Sequence, residues 1–330
     1  MDFSLSDDQE LLRDTARAML ANECPTTLLR AHIDDPGAAD PLWTHLREFA
    51  ALATGSCADL HLFAEELGYV AAPGAFVPTV ALAAPVLAAA GDEHVDGIVA
   101  GEATATLAVA GADGVWLPNG DAVKTFVPEA DRVDWIVVVD AGPSVRVVAT
   151  ADASLHHVGT VDFSRRMFEV EAPGTGTPLD SEALAGALDR ATAVVATEMV
   201  GTARRLFDMA LAYAKDRIQF DVPIGSFQAI QHRLADCSLA VERATAAVQY
   251  AAMTVDADDA DRRRAAHVAK AAAGAAATRA AKDSAQVHGG IGYTWEHDLH
   301  LFIRHAYGSE AWMGTTDWHH DRLGELLFAA

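Results

Sequence analysis

Gln286-Val287-His288-Gly289-Gly290-Ile291-Gly292-Tyr293-Thr294 follows directly on an alanine-dominated stretch, residues 262–285, that reads as a helix. Glycine loses the most backbone freedom on folding, so three glycines in four positions mark a sharp turn or a close approach. Two readings are open. The turn is a helix C-cap, or a glycine-rich loop whose backbone N–H groups meet a phosphate. A dinucleotide fingerprint is excluded, because that pattern follows a strand and opens a helix.

Upstream, the same texture continues. Asp180-Ser181 can cap a long helix over 182–216, and Asp221-Val222-Pro223-Ile224-Gly225 interrupts it, since proline and glycine do not continue a helix readily. Further helices are expected over 227–254, 259–287 and 298–307, with a last one near the end. Before this bundle, residues 103–170 carry short β-branched runs at 104–109, 115–117, 123–127, 135–139, 145–149 and 157–161. Runs of that length at roughly ten-residue spacing predict a small antiparallel sandwich or barrel. Pro173-Gly174-Thr175-Gly176-Thr177-Pro178 reads as a linker without regular structure. The N-terminal part is helical. Ser6-Asp7-Asp8-Gln9 fits a capping box, followed by Leu11, Leu12, Ala16, Met19 and Leu20 on one face. Another helix is expected over 60–70, and one over 79–90 that Pro85 kinks or breaks. The expectation is an α+β chain: helical domain 1–102, β domain 103–172, linker 173–179 and helical bundle 180–330, not alternating βαβ units.

The 24 basic against 47 acidic residues, net −23, argue against wrapping nucleic acid or lying on an anionic membrane. Three scattered cysteines without a CxxC pair (Cys24, Cys57, Cys237) speak against a disulfide framework and for a reducing cytoplasm. The start carries neither a basic nor an apolar leader region, and no apolar run is long enough to span a bilayer. His297, His300, His305, His319 and His320 lack a metal-ligand spacing and are expected at an interface or the surface, with no metal bound.

Three stretches, Arg217 to Gly225, Phe227 to Asp236 and Gln286 to Tyr293, occur in order within the helix–β–helix arrangement, and together they resemble the acyl-CoA dehydrogenases. The resemblance spans nearly the whole chain, strong in the bundle and weak in the β segment. It implies FAD as cofactor and α,β-dehydrogenation of an acyl-CoA thioester. A carboxylate takes the α-proton, a hydride leaves to the flavin, and hydrogen bonds polarise the thioester carbonyl. It further implies that Arg217 and the turn Gln286, Val287, His288, Gly289, Gly290 reach across a dimer interface. There they meet the pyrophosphate and adenosine of the neighbour's FAD, with Phe220, Phe227 and Gln228 at the adenine end and Gly314-Thr315 on the same cofactor. A guanidinium suits phosphate oxygens, and glycines admit close N–H groups. Alone, Arg217 also reads as a cation at a helix C-terminus, and His288 as a carbonyl cap.

The chain departs from the family pattern in two ways. The catalytic glutamate before the Gly-Thr pair is replaced by Met313, whose thioether accepts no proton. The alternative base position, ten residues before Gly201, is Ala191. Asp189 and Glu198 lie nearby but face other ways, two helical residues being about 200° apart, and are expected as solvated surface acids. The β segment lacks the Thr-Glu-Pro, Gly-Ser-Asp and Trp/Ser/Thr stretches that hold a subunit's own flavin, and Trp116 and Trp135 read as core aromatics. Residues that reach a neighbour are kept; those that serve this chain's own site are missing. That pattern is similar to the non-catalytic subunit of actinobacterial α2β2 steroid-type acyl-CoA dehydrogenases. It implies a homologous catalytic partner and an interface of more than ~2,000 Å². Two rivals stand beside it: a self-sufficient homomer with another base, and a flavin-free structural homologue.

Overall fold

The computed structural model describes residues 3–328. Its N-terminal part is helical: α1 (Asp7–Glu23), α2 (Thr26–Asp34), α3 (Leu42–Leu46), α4 (Cys57–Val70), α5 (Ala84–Ala90) and α6 (His94–Val99). The expected capping box opens α1: Gln9 N–H donates to Ser6 Oγ and Ser6 N–H to Gln9 Oε1, both at 3.2 Å. Ala16 and Leu20 turn inward, but Leu11 is 67% exposed, so the apolar face of α1 is narrower than its sequence suggests. Near Pro78 and Pro85 the chain runs as a π-helix (Val77–Ala83) straight into α5. The prolines change the helical pitch without ending the helix, because wider i→i+5 bonding accommodates the missing N–H.

The middle part holds β1 (Ala105–Ala108), β2 (Val123–Pro128), β3 (Trp135–Asp140), β4 (Ser144–Ala149), β5 (Ser154–Val158), β6 (Met167–Glu171) and β7 (Thr177–Pro178). They form two sheets, ordered β1-β3-β4-β7 and β2-β6-β5. Ala108, Val127, Ile136, Val138, Phe168 and Val170 fill the space between them, as in a sandwich. Four details correct the sequence reading. β1 and β3 pair in parallel, because β2 crosses to the other sheet and the chain re-enters beside β1 in the same direction. Residues 115–117 form no strand, since Trp116 is drawn into the core. β6 went unread, and the expected strand at 157–161 sits at Ser154–Val158. Finally, the presumed linker contributes β7, an edge strand paired to Ser144 and Val145, where proline is tolerated because no ladder N–H is needed.

The rest is α7 (Ser181–Asp216), the hairpin β8 (Ile218–Gln219) and β9 (Val222–Pro223), α8 (Gln228–Asp256), α9 (Arg262–His288), α10 (Leu299–Ala311) and α11 (Thr316–Phe328). Asp180 caps α7, its Oδ1 accepting from Glu182 and Ala183 N–H at 3.0 and 2.9 Å. The alanines of α9 (Ala269, Ala273, Ala276, Ala277, Ala280) are wholly buried. Small side chains on a central helix let several neighbours approach it at once. α4 crosses α7 closer still. A Cβ on Gly68 would lie 1.8 Å from Glu198 O, and one on Gly201 1.9 Å from Glu65 O. Among the described residues no helix is long and apolar enough to cross a membrane.

Candidate functional site

α7 ends at Arg217, whose carbonyl accepts from Ile224 N–H at 2.8 Å and so ties off the β8–β9 hairpin. Gln219 faces Val222, leaving Phe220 and Asp221 as the two turn residues, with φ of 54° and 63°. Two positive φ values define the tight hairpin turn that normally takes Asn-Gly. A phenylalanine there carries backbone strain of order 1 kcal/mol, yet its ring is 87% exposed. It meets Phe227 edge-on, with centroids 6.2 Å apart. Phe227 precedes α8 and is itself partly exposed, and Gln228, the first residue of α8, points to solvent. Among the described residues, no hydrogen bond or ion pair engages the Arg217 guanidinium, although acids outnumber bases two to one in this chain. Strained aromatic and unpaired cation sit on one hairpin.

The end of α9 packs beside it. Val287 belongs to a cluster with Ala210, Ala214 and Leu234, against which Ile224 and Ile230 pack. The Arg217 hairpin and the glycine turn therefore share one small core at one end of the bundle. Gln286 is exposed, but Val287 and His288 are buried. His288 Nδ1–H donates to Ser284 O at 2.8 Å, and the ring stacks on Tyr213 at 4.4 Å. Their side chains fix the turn from behind, leaving the backbone of Gly289 and Gly290 as the surface on offer. Gly289 adopts φ 63°, ψ −142°, a region essentially closed to other residues. A Cβ on either glycine would meet nothing within 4 Å. The backbone conformation requires glycine at 289; at 290, among the described residues, neither space nor a positive φ does.

Thr315 lies apart from that cluster: its Oγ1 accepts from Trp318 N–H at 3.2 Å, capping α11. Just before it, Met313 is buried with a left-handed φ of 59°. The buried Lys270 Nζ donates to Ser309 O, Glu310 O and Gly314 O at 3.1, 3.3 and 3.0 Å, holding this turn to α9. Burial pushes the Lys270 ammonium down to about 7. Ala191 is fully buried in the same main core as Met313. Neither base position carries a group that can take a proton. A cavity of about 310 Å³ lies between the β domain and α10, walled by Trp116, Phe126, Tyr307, Trp312 and Met313. It can hold an apolar or aromatic group.

Asp189 and Glu198 on α7 are not solvated. Glu198 is 1% exposed and accepts from Arg165 Nη2 at 2.6 Å. Arg165 also donates to Ser309 Oγ at 3.1 Å and lies 4.5 Å above the Trp312 ring. His305 bridges onward, 3.7 Å from Glu198 and 2.9 Å from Asp162. Burial raises the Asp162 carboxyl, but His305, Arg165 and Ser164 outweigh it and hold the group well below the usual carboxylate range. Asp189 is buried as well, and burial pushes it up to about 6 against Arg263 and Arg262. Helical counting failed here because α7 is covered on every side through 191–203. The available signal was that Glu198 is the only charged residue in that stretch. His300, His305 and His319 are likewise buried, not at the surface. Among the described residues, no group of three or more His, Cys, Asp or Glu could hold a metal.

Known proteins share the fold that holds these residues. The family model described as "Acyl-CoA dehydrogenase, C-terminal domain" matches residues 182–328. "Acyl-CoA dehydrogenase IpdE2" of Mycobacterium tuberculosis is 32% identical over 315 residues, covering 92% of each chain. Among solved structures, the ChsE4-ChsE5 complex from Mycobacterium tuberculosis matches with a TM-score of 0.87 at 22% identity, covering all of both chains. A variant of the Tcur3481-Tcur3483 steroid ACAD matches with 0.88 at 24% identity over 99% of each. At these identities the two structures speak for the fold.

Proposed function

The chain belongs to the acyl-CoA dehydrogenase family, and on that premise we propose that it is the non-catalytic subunit of a heteromeric, FAD-dependent enzyme that dehydrogenates an acyl-CoA thioester between Cα and Cβ. The observation that carries this reading is one-sided completeness. Met313 and Ala191 are buried and cannot accept a proton, while the Arg217 guanidinium, unpaired among the described residues, and the uncovered backbone of the Gly289-Gly290 turn face outward. Glu310, the acid nearest Met313 in sequence, accepts from Thr316 N–H at 2.8 Å, and the acids that flank Ala191 on α7 offer no substitute. Glu198 is ion-paired to Arg165 and Asp189 lies beside Arg262 and Arg263.

FAD fits the outward face. Arg217 brings a permanent charge and a planar fork for phosphate oxygens. At Gly289 and Gly290 no side chain stands between the backbone and a cofactor, so a phosphate can approach closely, although the Gly289 N–H itself is tied to Ala285 O. Phe220 and Phe227 offer aromatic faces for a flat adenine, and Gln286 and Gln228 add amide donors and acceptors beside them. The cofactor brings hydride acceptance from Cβ; the α-proton falls to a carboxylate of the partner subunit. This chain's share is to bind and orient. The two-component ChsE4-ChsE5 complex supports a homologous partner and the Tcur3481-Tcur3483 steroid ACAD a steroid-type substrate; an α2β2 assembly is the arrangement proposed with them. The −23 charge fits a CoA site completed elsewhere, since CoA phosphates call for local lysines or arginines.

Arg217→Ala tests the assignment. Loss of a charge-assisted phosphate contact should weaken flavin retention by the purified complex at least about tenfold. Absorbance of the desalted complex measures it, and unchanged flavin content would remove Arg217 from the cofactor.

A further inference from the structure

A cavity of about 660 Å³ lies where the start of α7, the first two turns of α9 and α11 meet the segments just before β2 and between β3 and β4, and none of the residues assigned above to cofactor or base lines it. Its walls are mostly apolar, with Trp116 and Leu117 from the β domain, Leu184 and Leu188 from α7, and Trp318 and Leu326 from α11. His267 of α9 adds a polar edge, and the hydrogen bonds behind that ring fix what it offers. His319 Nε2 lies 3.1 Å from Met313 O. A carbonyl only accepts, so this Nε2 carries the hydrogen, and Nδ1 of the neutral ring is an acceptor. His267 Nδ1 lies 2.8 Å from His319 Nδ1 and therefore donates to it. That leaves His267 Nε2 as a bare acceptor. Burial pushes His319 down to about 3, with Lys270 beside it, and His267 down to about 4, with Arg263 and Arg322 beside it. Both rings stay neutral.

His267 is half-buried, and its Nε2 has no partner among the described residues yet is not sealed from solvent. An open acceptor set among apolar walls favours a ligand that donates. The neighbouring charges decide what kind of donor. Those felt at the His267 ring are the Arg263 and Arg322 guanidiniums, which repel a cation. The acids of the rim are turned to these arginines: Glu182 and Asp189 lie 3.4 and 3.8 Å from Arg263, and Glu325 lies 2.5 Å from Arg322. A hydroxyl meets both conditions, because its hydrogen goes to Nε2 and its oxygen accepts from a guanidinium N–H. The apolar walls gain from covering a hydrocarbon body, and the volume suits a small organic molecule.

We propose that this cavity binds an uncharged, bulky apolar alcohol, its hydroxyl donating to His267 Nε2 and its hydrocarbon body lying against Trp116, Leu188 and Trp318. The site is separate from the Arg217 hairpin and the glycine turn, so its failure would leave the assignment of flavin and partner untouched.

Equilibrium dialysis of the full-length chain against 1-adamantanol tests it. The comparisons are 1-fluoroadamantane, which keeps the shape without the donor, and 1-adamantylammonium chloride, which donates but carries charge. Saturable binding of the alcohol is expected, with the fluoride and the ammonium each at least about tenfold weaker. His267→Asn keeps an N–H near the place where Nδ1 meets His319 but withdraws the acceptor at Nε2. It should weaken the alcohol at least about tenfold and leave the fluoride unchanged, which separates a lost acceptor from a damaged fold. If the variant does not fold, the alcohol and fluoride compared on the unaltered chain still decide. The absence of saturable alcohol binding would overturn the proposal. So would a fluoride or ammonium bound as tightly as the alcohol, or an alcohol affinity unchanged in the folded variant.

Discussion

Gly201→Ala should yield a chain that does not fold stably, with a loss of more than about 4 kcal/mol. The added methyl would sit 1.9 Å from Glu65 O and 2.8 Å from Tyr69 N. Both obstacles are backbone atoms of α4, so no side chain can rotate away. α4 and α7 would have to separate, and Gly68, 1.8 Å from Glu198 O by the same measure, opposes any slide along the crossing. Overpacked cores ordinarily lose about 1–3 kcal/mol; contact between two backbones exceeds that range. The comparison is Gly324→Ala in α11, where a Cβ meets nothing within 4 Å. That change should be neutral or stabilising by up to about 1 kcal/mol, through helix propensity. Denaturant unfolding of both variants decides the matter. A Gly201→Ala chain as stable as the parent would mean that the helices do not cross this closely.

The second large effect lies at the buried ion pair. Arg165→Leu removes the hydrogen-bonded cation from Glu198, whose side chain is 1% exposed, leaving His305 at 3.7 Å. Breaking one side of a buried pair costs about 3–5 kcal/mol, whereas replacing both sides by apolar groups is often nearly neutral. Arg165→Leu combined with Glu198→Leu should therefore be more stable than Arg165→Leu alone, a non-additivity that a double-mutant cycle reads directly. The pair docks the β domain on α7, and with Ser309, Trp312 and His305 it fixes α10 against both. A purely additive cycle would mean that Arg165 and Glu198 do not act on each other.

The sequence was most legible where single residues forbid alternatives. Asp180 caps α7, Pro223 and Gly225 end the hairpin, and the glycines after His288 stop α9, each for a local stereochemical reason. The β domain was read less well. Its short strands depend on partners far along the chain, so Trp116 could leave the sheet for the core and β1 could pair with β3 in parallel without a local trace. Burial was the weakest inference. Glu198, His305 and Lys270 are polar in sequence, and only tertiary packing turns them inward toward one another and toward backbone carbonyls. At the candidate site the residue types were legible, but their directions were not. Val287 and His288 face the core, while Phe220 stays outside in a strained turn.

Flavin content under two conditions bears most directly on the division of roles argued for this chain. The protein should be colourless when produced alone. Produced with a homologous subunit that carries the missing carboxylate, it should co-purify as a yellow complex that oxidises an acyl-CoA thioester. Stoichiometric flavin and thioester oxidation by the chain on its own, or no flavin in either preparation, would contradict that account.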